Sequence, residues 1–299
     1  LFNKKDFNNL IYTNQACSIK NNKIFLSKQI SIDIPQFKNQ FNTFNQVRII
    51  PKQKFIEIEI VYQYNEINHE LNKESYSSID FGINNLIALV SENNPLIISG
   101  KQIKSINQYY NKTKARLLSI KDKSKIKGYT KQLYNLELKR NEKLKDLLHK
   151  VSRYLVNYLV KNKIGNIVIG YNKSWKDSIN LGNKTNQTFV SIPYLKLINY
   201  IKYKCKMAGI NFVLHEESYT SKCDSLVLEK LGKQDVYLGK RIKRGLFQSS
   251  IGKLINADIN GALNIMRKVV NDSYASKIIN SGLLFNPIKI RDIYSLNSL

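Results

Sequence analysis

A chain of 299 residues is long enough for two domains, each with a core of its own. Its 48 Lys and Arg against 22 Asp and Glu leave a net charge of +26, far beyond what solubility asks for, so the natural partner is a polyanion. The absence of any run of 18 or more apolar residues excludes a helical membrane span, and no charged start followed by an apolar core marks an N-terminal signal. The expected location is therefore intracellular: cytoplasmic, at the nucleoid. Cys17, Cys205 and Cys223 have no CxxC spacing, which argues against a disulfide framework and against zinc. The chain opens on Leu1 in polar LFNKKDFNN, and a preceding segment is expected.

Residues 1–75 read as all-β. LIYTNQACSIK, KIFLSKQISIDI, QVRIIPK and KFIEIEIVYQY are short alternating runs, parted by polar NNK and by Pro51-Lys52-Gln53. FIEIEIVYQY puts Ile56, Ile58 and Ile60 on one face, which suits a small barrel, or half of one, solvated on its outer side. Lysines such as Lys20, Lys23 and Lys52 tilt this domain towards phosphate contacts. Polar EINHELNKES, 66–75, reads as the linker.

The stretch SSIDFGINNLIALV, 77–90, carries apolar residues on both parities, the pattern of a central strand in a sheet covered by helices. Asn93-Asn94-Pro95 then turns the chain into PLIISG, the second strand of a hairpin. Leucines at mixed threes and fours predict a helical region over 101–162, broken at Gly128. Residues 101–163 hold eighteen Lys and Arg but only Asp122, Glu137, Glu142 and Asp146 as acids, a net of +14. Like charges at helical spacing cost stability unless an anion relieves them. Tyr109, Tyr110, Lys112, Lys114, Arg116, Arg140 and Arg153 are thus candidate nucleic-acid contacts, against the plainer alternative of a solvated face.

IGNIVIGYN, 164–172, is another buried strand, followed by a polar loop through 184–187. In FVSIPYLKLINYIKYKCKMAG a helix opens at Pro193 and stops at Gly209. INFVLHEESYTSK continues as a strand over 210–215, with Glu216 and Glu217 at its carboxyl end. Strand, helix, strand of this length is a parallel crossover, and function gathers at the carboxyl ends of such strands. Residues 222–254 are polar, basic and punctuated by glycine, a surface insertion in which Lys222, Arg241 and Arg244 are further candidate nucleic-acid contacts. INADINGALNIMRKVV is a helix opening near Asp258, and the last 28 residues carry no readable pattern.

Asp80, Glu216 or Glu217, and Asp258 are three acids on two strands and a helix. Each also has an ordinary reading: Asp80 as the cap of its own turn through Gly82, the glutamates as an exposed loop pair, Asp258 as a first-turn acid favoured by the helix dipole. Brought together, they would hold two Mg2+ through hard oxygen ligands, the arrangement of a two-metal phosphodiesterase. No Ser or Cys nucleophile competes, because His69, His149 and His215 sit in unrelated contexts.

SIDFGINNLIALV, the basic INQYYNKTKARL, IGNIVIGYN, EESYTSKC and INADINGALNIMRK resemble, in that order, the RuvC-like core of the transposon-encoded TnpB (OrfB) family, over roughly residues 10–270. These are RNA-guided DNA nucleases related to the type V CRISPR effectors. The resemblance implies an α/β RNase H-like (RuvC-like) nuclease domain over 76–270, with a helical insertion at 101–162 and a degenerate zinc-ribbon-like insertion at 218–254. Before it would stand a partial wedge-type β-barrel, 1–75, and after it a tail, 271–299; the family's N-terminal recognition helices would be absent. Guide RNA and target DNA are the implied partners. Relatives commonly end the IVIG-type strand with a catalytic Glu, where this chain has Gly170; some carry the acid on the next strand instead, in an EESYTSK-like motif. The expected ligands of Mg2+ are therefore Asp80, Glu217 and Asp258, with Glu216 as runner-up to Glu217. Of the zinc ribbon's two CxxC pairs only Cys223 is kept, so no zinc is expected. The rival readings are a nuclease-silent RNA-guided DNA-binding protein and a DDE-type cut-and-paste transposase.

Overall fold

Alternation of apolar and polar residues builds the first unit of the chain, and longer apolar runs build the second. The computed structural model describes residues 8–26, 30–34, 44–52, 55–63, 67, 69–172 and 191–296, and it divides into Leu1–Glu66 and Ile67–Leu299.

The first unit has strands β1 (Leu10–Thr13), β2 (Cys17–Lys20), β3 (Lys23–Leu26), β4 (Ile30–Asp33), β5 (Phe44–Pro51) and β6 (Ile56–Tyr62). They pair antiparallel as two three-stranded sheets, in the orders β1-β5-β6 and β2-β3-β4. Asn21 and Asn22, both at positive φ, make the tight hairpin turn between β2 and β3 that asparagine tolerates best. Cys17, Ile24, Leu26 and Val47 are buried in one core, with Ile58 and Ile60 packed against them.

The second unit contains β7 (Asn72–Phe81), β8 (Asn85–Ser91), β9 (Leu96–Ser99), the helices α1 (Lys101–Lys123) and α2 (Lys131–Lys161), and β10 (Ile164–Tyr171). Then come α3 (Tyr194–Met207), β11 (Asn211–Glu216), β12 (Lys240–Lys243), β13 (Leu246–Gln248), β14 (Leu254–Asn256), α4 (Ala257–Val269), α5 (Asp272–Asn280) and β15 (Ile288–Ile290). Six strands form one sheet in the order β11-β10-β7-β8-β9-β15. β7, β10 and β11 run parallel, and β8 is antiparallel to both its neighbours. Ile79, Phe81, Ile167 and Ile169 pack under α2 and α3 on one face, while Ala88, Val90 and Ile97 pack under α4 and α5 on the other. Helices thus cover both faces, which is why these strands are apolar on both parities.

Three sequence expectations are corrected. The stretch 77–90 is two strands, because Gly82 turns the chain back on itself and β8 pairs antiparallel with β7. A Cβ at Gly82 would stand 2.7 Å from the carbonyl oxygen of Asn85, so the turn closes only around glycine. Part of the polar 66–75 segment is strand, since β7 begins at Asn72 and its exposed first turn of sequence is polar for that reason. The unreadable tail adds β15 to the sheet edge, parallel to β9. The helical break at Gly128 is where it was expected, with Gly128 at φ 82 between α1 and α2. The loop at 184–187 lies outside the described residues. No helix among the described residues is long and apolar enough to cross a membrane.

Candidate functional site

Parity along β7 sends Ile79 and Phe81 towards α2 and α3, and Ser78 and Asp80 towards α4. Helix α4 can come down onto that face because the residues meeting there are small. The Ser78 hydroxyl donates to the carbonyl of Ala262 at 2.6 Å, and a Cβ on Gly261 would stand 2.6 Å from an Asp80 carboxylate oxygen. Asp80 is held well above the usual carboxylate range, first by burial and then by the negative charges of Glu217 and Asp258. Arg241 and the Phe81 N–H pull the other way.

Asp258 arrives in the first turn of α4, whose start is fixed by the Asn256 side chain accepting from the Asp258 and Ile259 N–H groups. One oxygen of Asp258 accepts from the Asn85 amide at 2.7 Å, and the other lies 3.8 Å from the Arg241 guanidinium. Arg241 reaches it from β12, in the basic insertion.

Gly170 ends the β10 run beside Asp80's strand, and the missing side chain matters. A Cβ there would stand 2.7 Å from a Glu217 carboxylate oxygen and would strike the side chain of Ile265. The Glu217 carboxylate therefore occupies the room that a side chain at 170 would need. Glu216 faces the other way, as successive residues on extended chain do. It accepts from the Ser218 N–H and hydroxyl, and Lys268 lies 3.6 Å from its carboxylate. Those donors hold its carboxyl below the usual range. β11 is moreover an edge strand of the sheet, with Leu214 exposed.

The turn that carries Glu217 is fastened to α4. Buried Asn264 donates to the carbonyls of Thr220 and Cys223, and buried Asn260 donates to the carbonyl of Cys223 and accepts from Ser225. Tyr194, at the start of α3, donates its hydroxyl to the carbonyl of Gly82 at 2.9 Å. Burial and the charges of Asp80, Asp258 and Glu217 push its phenol far up, so it stays a neutral donor beside three acids. Asn85, Asn260, Asn264 and Tyr194 were not singled out from the sequence. Uncharged amides at helical or turn spacing give no pattern of their own; only the i, i+4 pair of asparagines on an apolar helix face hinted at a buried contact.

The donor set suits a hard divalent cation: three carboxylates of like charge whose mutual field already disfavours the ionised form of Asp80. Among the described residues no group of three or more His, Cys, Asp and Glu side chains forms a ready-made metal cage. Asp258 is drawn to one side by Asn85 and Arg241.

Of the other basic candidates, Lys112 and Arg116 on α1, Arg153 on α2, and Lys222 and Arg244 in the insertion are exposed, and Lys114 lies over the Tyr110 ring. Arg140 donates to Asn107, to Asn141 and to the Ser191 carbonyl, and stacks on Tyr110. Its guanidinium is engaged by the protein itself. Cys223 is buried, its thiol facing the carbonyls of Lys230 and Gly232.

The family model described as probable transposase, OrfB_IS605, matches residues 59–176, and the one described as Cas12f1-like, TNB domain, matches residues 194–265. TnpB-like protein ORF457 of Acidianus two-tailed virus is 30% identical over 203 residues, which is 65% of this chain and 42% of that protein. The chain thus spans less than half the length of the curated relative it matches. Among solved structures, a Cas12f1–sgRNA–target DNA complex aligns with a TM-score of 0.57 at 20% identity, over 74% of this chain and 45% of that one. A CRISPR-Cas12f ternary complex aligns over the same shares with a TM-score of 0.51. At such identity the likeness is one of fold, and it makes the α/β unit a RuvC-like nuclease fold. Two consecutive family models, a curated relative and this fold thus agree in making the chain similar to the TnpB (OrfB) family.

Proposed function

We propose that this chain carries the catalytic part of a transposon-associated, RNA-guided DNA endonuclease, hydrolysing DNA phosphodiesters with Mg2+ held at Asp80, Glu217 and Asp258. One observation supports this above the rest. The Glu217 carboxylate fills the room left by Gly170, so that a strand, a turn and a helix each direct an acid to one end of the sheet. Guide RNA and target DNA are the partners in the solved complexes it resembles, and a net charge of +26 suits both. The first unit's two small sheets would then form the wedge-type part that grips the guide and its duplex.

Bound Mg2+ would supply an activated water and neutralise the charge growing on the leaving oxygen. The chain's own residues do the rest. Gly261 lets Asp80 lie against the helix backbone, and Asn85 holds Asp258 from one side while leaving its other oxygen towards Arg241. Arg241 brings a guanidinium to the mouth of the acid cluster, where a substrate phosphate has to enter. Tyr194, kept neutral, fixes the Gly82 turn beneath Asp80.

The test is purification with bound RNA, sequencing of that RNA, and cleavage of matching DNA by wild type, Glu217→Gln and Glu216→Gln. Glu217→Gln should lose several kcal/mol of charge stabilisation, about a thousandfold in rate. Glu216→Gln should lose much less, since its carboxylate serves Ser218 and Lys268. Guided DNA binding without cleavage would replace the proposal by the nuclease-silent reading, and strand transfer instead of hydrolysis would replace it by the cut-and-paste transposase.

A further inference from the structure

The helical hairpin of α1 and α2 has two chemically different sides. Its inner side is closed: Arg140 reaches from α2 across to buried Asn107 on α1 and to the Ser191 carbonyl, and the Tyr110 ring is covered by Arg140 and Lys114. This latch makes α1 a fixed surface. The outer side of α1 carries Tyr109, Lys112, Arg116, Ile120 and Lys123, spaced by threes and fours and so aligned on one stripe. Tyr109 is 67% exposed and Ile120 51%. Among the described residues Tyr109 makes no ring contact or hydrogen bond, and none of the three cations has an acidic partner. No acid lies on the stripe, since Asp122 projects about a third of a turn away. From Tyr109 to Lys123 it runs about 21 Å at 1.5 Å per residue.

A basic stripe alone fits any phosphate backbone. A bare aromatic ring set into it, on a helix latched to its neighbour through Arg140, fits something narrower, because only an unpaired base offers its π-face for stacking while its phosphates remain free for cations. We infer that the outer face of α1 is a landing strip for an unpaired nucleic-acid strand, with Tyr109 stacking on a base and Lys112, Arg116 and Lys123 tracking the phosphates. A duplex can use the cations and not the ring. The inference rests on the proposed nucleic-acid function, and it adds the strandedness and the position of one contact.

The experiment measures binding of the full chain to a fluorescein-labelled unstructured oligouridine, to the same strand with abasic positions, and to a duplex of equal length. Tyr109→Ala, Tyr109→Phe and Lys112→Ala/Arg116→Ala are compared with wild type at several salt concentrations. Tyr109→Ala should weaken the single strand about tenfold or more, in line with one lost base stack, while Tyr109→Phe stays near wild type and the duplex changes less than about twofold. On the abasic strand wild type and Tyr109→Ala should be indistinguishable. The double cation variant should lower the single-strand salt slope by roughly 0.7 for each phosphate released. Equal loss on single strand and duplex, or no loss on either, overturns the inference and leaves the nuclease reading standing. Failure of wild type to bind any of the three overturns both. Because Tyr109 is largely exposed and makes no ring contact or hydrogen bond among the described residues, the melting temperature of Tyr109→Ala is expected to stay near wild type, which separates a binding defect from a folding one.

Discussion

Asp80 is the residue at which the proposed function and stability pull apart. In an unfolded chain its carboxyl loses a proton near pH 4; in the fold, burial and two neighbouring acids postpone that loss to a well higher pH. Between those two values the folded state holds the extra proton, so this group's contribution to stability falls as pH rises. Asp80→Asn is therefore expected to melt higher than the parent at pH 7 in a chelator, and the advantage should vanish below about pH 4, where both forms are neutral. A lower melting temperature at pH 7 would mean that the carboxylate is stabilised in place and that the acids do not oppose one another. The same crowding explains why the sequence left Glu216 and Glu217 undecided. Both sit at the end of one short strand, and only the empty room at Gly170 and the Lys268 contact separate them.

At the scale of elements, the insertion between β11 and α4 is organised by carboxylates. Asp224 is fully buried, has no cationic partner among the described residues, and accepts from the Leu226 N–H, the Ser249 hydroxyl and both the N–H and hydroxyl of Ser250. Glu229 accepts from the Asp224 and Leu238 N–H groups. Backbone donors from three separate turns thus converge on two acids, the task a structural metal performs elsewhere. Asp224→Ala should leave several buried donors unpaired and cost roughly 3 kcal/mol or more, read as a lowered urea midpoint with unchanged response to a zinc chelator. A midpoint shift below about 0.5 kcal/mol would show that the turns hold without it. Little of this was legible in advance, because isolated Asp and Ser residues in a polar loop look solvated until the fold buries them. By contrast the helix break at Gly128 and the crossover from β10 through α3 to β11 could be read, since long apolar periodicities interrupted by a glycine leave few alternatives. The β7–β8 turn was hidden by the very feature that marks the centre of the sheet. Burial on both faces makes two strands and their turn look like one apolar run.

For the molecule as a whole, the division at residues 66 and 67 gives two bodies of unequal strength. Among the described residues the first has a core of four buried side chains; the second has a six-stranded sheet covered on both faces. Small cores are marginal on their own. A chain starting at Ile67 is expected to fold alone and to melt in one cooperative transition, whereas residues 1–66 alone should show weak amide protection in hydrogen exchange. Loss of cooperativity in the larger piece would show that its core depends on the smaller one. Charge follows a different plan from the core: residues 101–163 hold a net +14 of the total +26, so more than half of the excess stands on the one hairpin.

Two of the three acids travel on the same piece. Helix α4 bears Asp258 itself, and through Asn260 and Asn264 it also grips the turn that bears Glu217, while Asp80 belongs to the sheet. A slide of α4 across the sheet by a fraction of a helical turn would move that pair in unison against a stationary third. The fold thus has the makings of a jaw with one fixed and one travelling side.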